Sequence, residues 1–226
     1  MHRRIALLAV LALPGAALAQ APAPDTELHI GESAEVSRTP DEIVATLRAE
    51  ARAANAAAAQ EAVNRAITAA VARARGVPGV RVATGGYWTN RVDDNRAWIA
   101  SQQLTLRGND GAAVLELVGA LQGQGMVTGG LQWTLKPETQ REAREEASRL
   151  ALDALRRRAD AVAQQLGLQV AGLKEIRIDV PDRMPRPMAA PMAASARAAS
   201  GPPPVAVAED IAVMATVQAV VVLRPR

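Results

Sequence analysis

The chain has 226 residues, about half of them apolar, with 26 Lys and Arg against 23 Asp and Glu, and no cysteine. Without thiols it has no disulfide staples and no thiol redox chemistry, so stability must come from a core, and that core has no Phe and leans on Ala, Val and Leu. The pI near 10.1 reflects arginine, which stays charged there, and is no sign of a nucleic-acid surface.

MHRRIALLAVLALPGAALAQ opens the chain with His2, Arg3 and Arg4, an apolar run from Ile5 to Leu13, and the small-x-small pattern Ala17-Leu18-Ala19. This predicts a secretory signal peptide over 1–19, cleaved after Ala19, and therefore an exported, periplasmic protein. The run is short of the ~20 residues of a spanning helix, and no lipobox cysteine is present. Loss of Arg3 and Arg4 leaves a mature chain of about 207 residues with 24 bases against 23 acids. Residues 20–26 read as a flexible leader, and 27–226 as one α+β domain.

From Glu27 the pattern alternates, with Leu28, Ile30, Ala34 and Val36 opposite Glu27, His29, Ser33 and Glu35. After a turn at Arg38-Thr39-Pro40-Asp41 it resumes with Ile43, Ala45, Leu47 and Ala49 against Thr46, Arg48, Glu50 and Arg52. Two half-buried strands forming an antiparallel hairpin are expected. Near Asn55 the period becomes helical: Ala59, Ala62, Val63, Ala66, Ile67, Ala70, Val71 and Ala74, stopped by Gly76 and Pro78. Two more strands, Val80–Val92 and Arg96–Arg107, join through Asp93-Asp94-Asn95, and a helix follows from about Gly111 to Gln122. Met126–Leu135 reads as a strand with a bulge at Gly129-Gly130.

Pro137–Gly167 predicts one long amphipathic helix with the stripe Ala143, Ala147, Leu150, Ala151, Ala154, Val162, Ala163 and Leu166. Glu145–Arg149, Asp153–Arg157 and Arg156–Asp160 are expected to pair along its wet side. A strand is expected over about Leu173–Val180, a Pro/Ala-rich loop over 181–206, and a last strand from Ile211 to Leu223. The order ββ-α-ββ-α-β-α-β-loop-β predicts an α+β layered sandwich with a largely antiparallel sheet. The ββα units from Glu27 and Val80 suggest a degenerate repeat.

Candidate chemistry is sparse. Four strand residues put Ser33 ~13 Å from His29, beyond proton-transfer reach. Asp93-Asp94-Asn95 offers oxygen ligands but lacks the spacing and closing Glu of an EF-hand, and reads as a turn; Glu209-Asp210 reads as the start of the last strand. One mature histidine and no cysteine are too few for zinc, and no phosphate-cradling glycine motif occurs. Arg156-Arg157-Arg158 spreads around a helix as a solvated, ion-paired face. Trp88, Trp98 and Trp133 read as core or interface anchors, and Met184, Met188 and Met192 as an adaptable apolar surface on the loop. No catalytic, cofactor-binding or metal residue is assigned, and no cofactor is expected.

ELHIGESAEVSRTPDEIVATLRAEARA with its Pro40-Asp41 pair, the helix start at Asn55 and the Gly76-Val77 stop resemble the bacterial SIMPL-domain proteins in order. So do WIASQQLTLRGNDGAAVLELVGALQGQGMVTGGLQWTL and EEASRLALDALRRRADAVAQQLGLQVAGLKEIRI. The departure is Ala208-Glu209-Asp210, where the family has a Pro-Gly-type turn before its last strand. The resemblance implies an exported protein of unknown function with no catalytic residues to carry over, named for a eukaryotic partner of a receptor-linked kinase. It also implies links to oxidative-stress tolerance and surface antigenicity, and ring- or channel-like homo-oligomers. The expected function is therefore non-enzymatic self-assembly and partner binding, with further copies and an envelope protein as partners and with no nucleic acid and no transmembrane segment in the mature chain. The alternative is a small-ligand-binding protein or hydrolase whose site is assembled from distant residues. An outer-membrane barrel is disfavoured because helices carry too much of the chain.

Overall fold

The structure, a computed structural model, describes residues 25–92, 97–178 and 204–226. The expected signal peptide, most of the expected leader, the expected turn at Asp93-Asp94-Asn95 and residues 179–203 with Met184, Met188 and Met192 lie outside them.

Ten elements follow the expected order. They are β1 (Thr26–Arg38), β2 (Glu42–Ala53), α1 (Ala56–Arg75), β3 (Val80–Val92), β4 (Ala97–Gly108), α2 (Gly111–Gln122), β5 (Val127–Thr134), α3 (Pro137–Gln165), β6 (Leu168–Ile178) and β7 (Ile211–Pro225). The α+β class holds, but the strands divide into two antiparallel sheets, β1-β7-β6 and β3-β4-β2-β5.

That division corrects the expected β1–β2 hairpin. β1 pairs along all 13 of its residues with β7, from Thr26 opposite Leu223 to Arg38 opposite Ile211. β2 instead lies between β4 and β5. Alternation reports a strand's period and wet side but not its partner. The ββα repeat fails for the same reason, since β3 and β4 pair with each other whereas β1 and β2 do not.

Each sheet buries one face under helices. In the four-stranded sheet, Ile43, Ala45, Leu47, Leu104 and Leu106 meet Ala59, Val63, Ile67, Ala70 and Ala74 of α1 and Val114, Leu117, Val118 and Leu121 of α2. The Asn55 side chain caps α1 by accepting from Ala58 N at 2.9 Å, and Asp110 caps α2 by accepting from Ala112 N and Ala113 N. Gly111 is required by a close approach: a Cβ there would sit 2.6 Å from the Trp133 ring. The register of β5 on β2 shifts between Thr46 and Leu47, where Gly129 is the extra residue, as the glycine pair predicts.

The three-stranded sheet packs on α3. The buried row is Ala143, Ala147, Ala151, Leu155, Ala159 and Ala163. Every step is four residues, so the contact follows one i±4 ridge that winds around the helix. This corrects the predicted stripe: Leu150 and Leu166 are 45% and 58% exposed, and Leu155 is the one large side chain in the row. None of the three predicted pairs along α3 closes. Instead Arg38 pairs with Glu146, and Arg158 donates to Glu32 at 2.6 Å, both joining α3 to β1. β6 starts at Leu168, directly after Gly167 (φ +70°) turns the chain out of α3 and five residues before the expected start.

The two halves meet where three connections converge. Asp41 Oδ1 accepts from Lys136 N–H at 2.7 Å and Oδ2 from the Thr139 hydroxyl at 2.6 Å, while Asp41 N–H donates to Thr134 O at 3.2 Å. Lys136, the N-cap of α3, supplies no side-chain cap of its own. Asp41, 95 positions upstream, instead anchors the residue before α3 and the side chain of its third residue, Thr139. Thr39 donates to Asp210 at 2.9 Å, which ties the start of the last strand to the same junction.

On the uncovered side of the four-stranded sheet, Ser101 is fully buried and its hydroxyl has no hydrogen-bond partner among the described residues. An orphaned buried hydroxyl costs stability. Ser101→Ala is accordingly expected to hold or raise stability, by up to about 1 kcal/mol, as read from the urea midpoint; a clear loss would show that the hydroxyl is satisfied.

Candidate functional site

The uncovered face of the three-stranded sheet holds a shallow hollow of about 370 Å³. Its position follows from the register. Gly31 on β1 faces Gln218 on β7, which faces Arg177 on β6, and one row along, His29 faces Val220, which faces Glu175. Gly31 opens the hollow because it brings no side chain: an added Cβ would touch only Gln218, at 3.5 Å, and Val217 O, at 3.6 Å. Two register shifts in β6, between Val170 and Gly172 and between Leu173 and Glu175, re-aim its side chains. Lys174, the extra residue of the second, reaches across to Glu27 on β1 at 2.5 Å.

That bridge sets the local charge. Hydrogen bonding to Lys174 first, and its charge second, hold the Glu27 carboxyl below its ordinary value, and Glu27 in turn raises Lys174. Arg224 lowers Asp25 mainly by its hydrogen bonds, gripping both carboxylate oxygens at 2.8 Å. All four groups are solvated, so these pairs align strands more than they stabilise them.

The hollow offers a small polar ligand the amide of Gln218, the imidazole of His29 and the outer donors of Arg177, whose Nε–H is already spent on Glu175 at 2.5 Å. No nucleophile joins them. Ser33 stands opposite Thr216, two rows along the same face as His29, and the two are not brought together. The nearest acid to His29 is Glu27, at 4.0 Å, too far for a hydrogen bond. Among the described residues no three His, Asp or Glu side chains converge to hold a metal ion.

Other singled-out residues lie apart from this hollow. Arg156, Arg157 and Arg158 are exposed on α3. Trp133 packs at the edge of the larger core and donates its indole N–H to Ala206 O at 3.3 Å. Trp98 packs at the same core with the Arg91 guanidinium 4.8 Å from its ring centroid, whereas Tyr87 and Trp88 are about 40% exposed. Sequence reasoning missed Gly31 and the β6 side chains as one group, since their juxtaposition depends on β7 lying between β1 and β6. It also missed Glu42, whose buried carboxylate binds Arg81 and Arg107 on the other sheet.

No helix among the described residues is long and apolar enough to cross a membrane. No curated protein matches the chain significantly. The profile of the SIMPL family, described as a protein of unknown function (DUF541), matches residues 28–221, from the first strand through most of the last. The chain belongs to the SIMPL family.

Proposed function

We propose that the protein is exported to the periplasm, is cleaved after Ala19, and acts there without catalysis, assembling with copies of itself and binding envelope partners in support of envelope or oxidative-stress tolerance. One observation carries this reading. On β6, an edge strand, Leu173, Ile176 and Ile178 stand opposite Val221, Ala219 and Val217, whose side chains are buried in the α3 core. They share that apolar side but remain 46%, 41% and 47% exposed, because α3 lies mainly over β1 and β7. An edge strand with a row of uncovered aliphatic side chains is a surface that a second chain covers with gain.

Light scattering on a sizing column tests it with residues 20–226. The expected mass is a defined multiple of the protomer, and Ile176→Lys on the exposed edge is expected to return it to one protomer. A wild-type chain that runs as a monomer overturns the self-assembly.

The hollow around Gly31 favours a second reading, a periplasmic small-ligand-binding protein. A metabolite screen by thermal shift is then expected to give a rise of several degrees that Gly31→Leu abolishes.

A further inference from the structure

We propose that Arg81 and Arg107 form a binding site for a phosphate group on the uncovered face of the four-stranded sheet. The register of β3 on β4 sets Arg81 directly opposite Arg107. Both lie on the side away from α1 and α2, since their neighbours Val80, Val82 and Leu106 belong to the core. Two like charges in directly opposed positions repel, so this pairing needs an anion to hold it.

Glu42 supplies part of that anion. Its side chain is 1% exposed, with Oε1 accepting from Arg81 Nη2 and Oε2 from Arg107 Nη1, the latter at 2.9 Å. One buried carboxylate thus orients two guanidinium groups from below and leaves one positive charge uncompensated. Each guanidinium has five N–H donors and spends one of them on Glu42. The Arg81 and Arg107 side chains remain 70% and 48% exposed, so the remaining donors include ones that face solvent.

Among the described residues, no second acid of the face balances them. The neighbouring positions on this side are Ala83 opposite Thr105, Val44 opposite both Arg107 and Gln132, and Thr46 opposite Thr105. The next carboxylate along the face is Glu50, six residues from Val44 and ~20 Å away, and it pairs with Arg48 at 3.5 Å. Paired guanidinium forks match a phosphate, whose several oxygens accept from both at once, better than they match a single-point anion such as chloride.

Calorimetric titration of residues 20–226 with inorganic phosphate, in chloride buffer, tests the site. Millimolar or tighter binding is expected in the wild type. Arg81→Gln and Arg107→Gln are each expected to weaken it at least about tenfold, with Arg81→Lys between them and the wild type. Arg156→Gln, exposed on α3 and away from both sheets' open faces, is expected to bind like the wild type. Arg81 is largely exposed and leaves Glu42 its Arg107 partner, so the folded state survives its replacement, as circular dichroism would verify. No binding up to about 10 mM phosphate, or equal affinity in Arg81→Gln and the wild type, would overturn the proposal.

Discussion

Leu155→Ala is expected to destabilise the protein by about 3 kcal/mol, a fall in Tm of roughly 8 °C. Leu155 is 1% exposed and packs against Val217, Ala219, Val221 and Leu223. Its neighbours along the ridge, Ala151 and Ala159, are too short to move into the space. The void left by truncation therefore persists, and such cavities fall in the costlier part of the range for leucine deletions. Urea unfolding checks this, with the midpoint falling and the slope unchanged. Leu150→Ala makes the contrast. Leu150 is 45% exposed, so its loss is expected to change stability by less than about 0.5 kcal/mol. Equal effects at the two positions would mean that the helix sits on the sheet by a different face.

Asp41→Ala is expected to cost about 2 kcal/mol. It removes two hydrogen bonds at once and leaves the N–H of Lys136, the residue just before α3, without its acceptor. It also unties the place where the two sheets join, so α3 and the three-stranded sheet are expected to become less protected in hydrogen exchange than the four-stranded sheet. The effect carries a pH signature. Burial pushes the Asp41 carboxyl up, but the Thr139 hydroxyl, the Lys136 N–H and the Lys136 charge together outweigh it and hold the group below its ordinary value. The folded protein thus favours the ionised form. The stabilisation is complete above the unfolded value of about 4 and fades as pH falls through the lower folded value. Melting curves of the wild type and Asp41→Asn should run at a constant separation near neutrality and converge in acid. A separation that grows on acidification would refute this account.

Both predictions turn on residues whose type is ordinary and whose position is not. Asp41 follows a proline in a turn, and the turn was legible; that its carboxylate serves a helix beginning at Pro137 was not. Leu155 falls in the long helix, and the helix was legible from Pro137 to Gly167. Its buried row was not, because Leu150, Ala154 and Val162 make an equally apolar stripe on paper. Choosing between stripes requires knowing how α3 crosses the sheet. Glu42 shows the same limit at the proposed phosphate site. A glutamate opening a strand reads as solvated until the partners of that strand bring Arg81 and Arg107 over it.

What the sequence by itself determined is what the local backbone controls. Side-chain periods of two and of 3.6 residues separated strands from helices. Asn55, Gly76, the glycine pair at 129–130 and Gly167 marked a helix start, a helix stop, a bulge and a turn, and the order of ten elements followed. Only the tertiary structure decided which strands pair, and so that there are two sheets rather than one. β1 is three residues from β2 but pairs with β7, whose partner positions lie more than 170 residues away. The physical reason is that pairing gains little from nearness once loop closure has been met, since closure cost rises only slowly with length. It gains much from burial: the apolar side of β1 needs the apolar side of β7 beside it and α3 above it, and no short-range pattern carries that information.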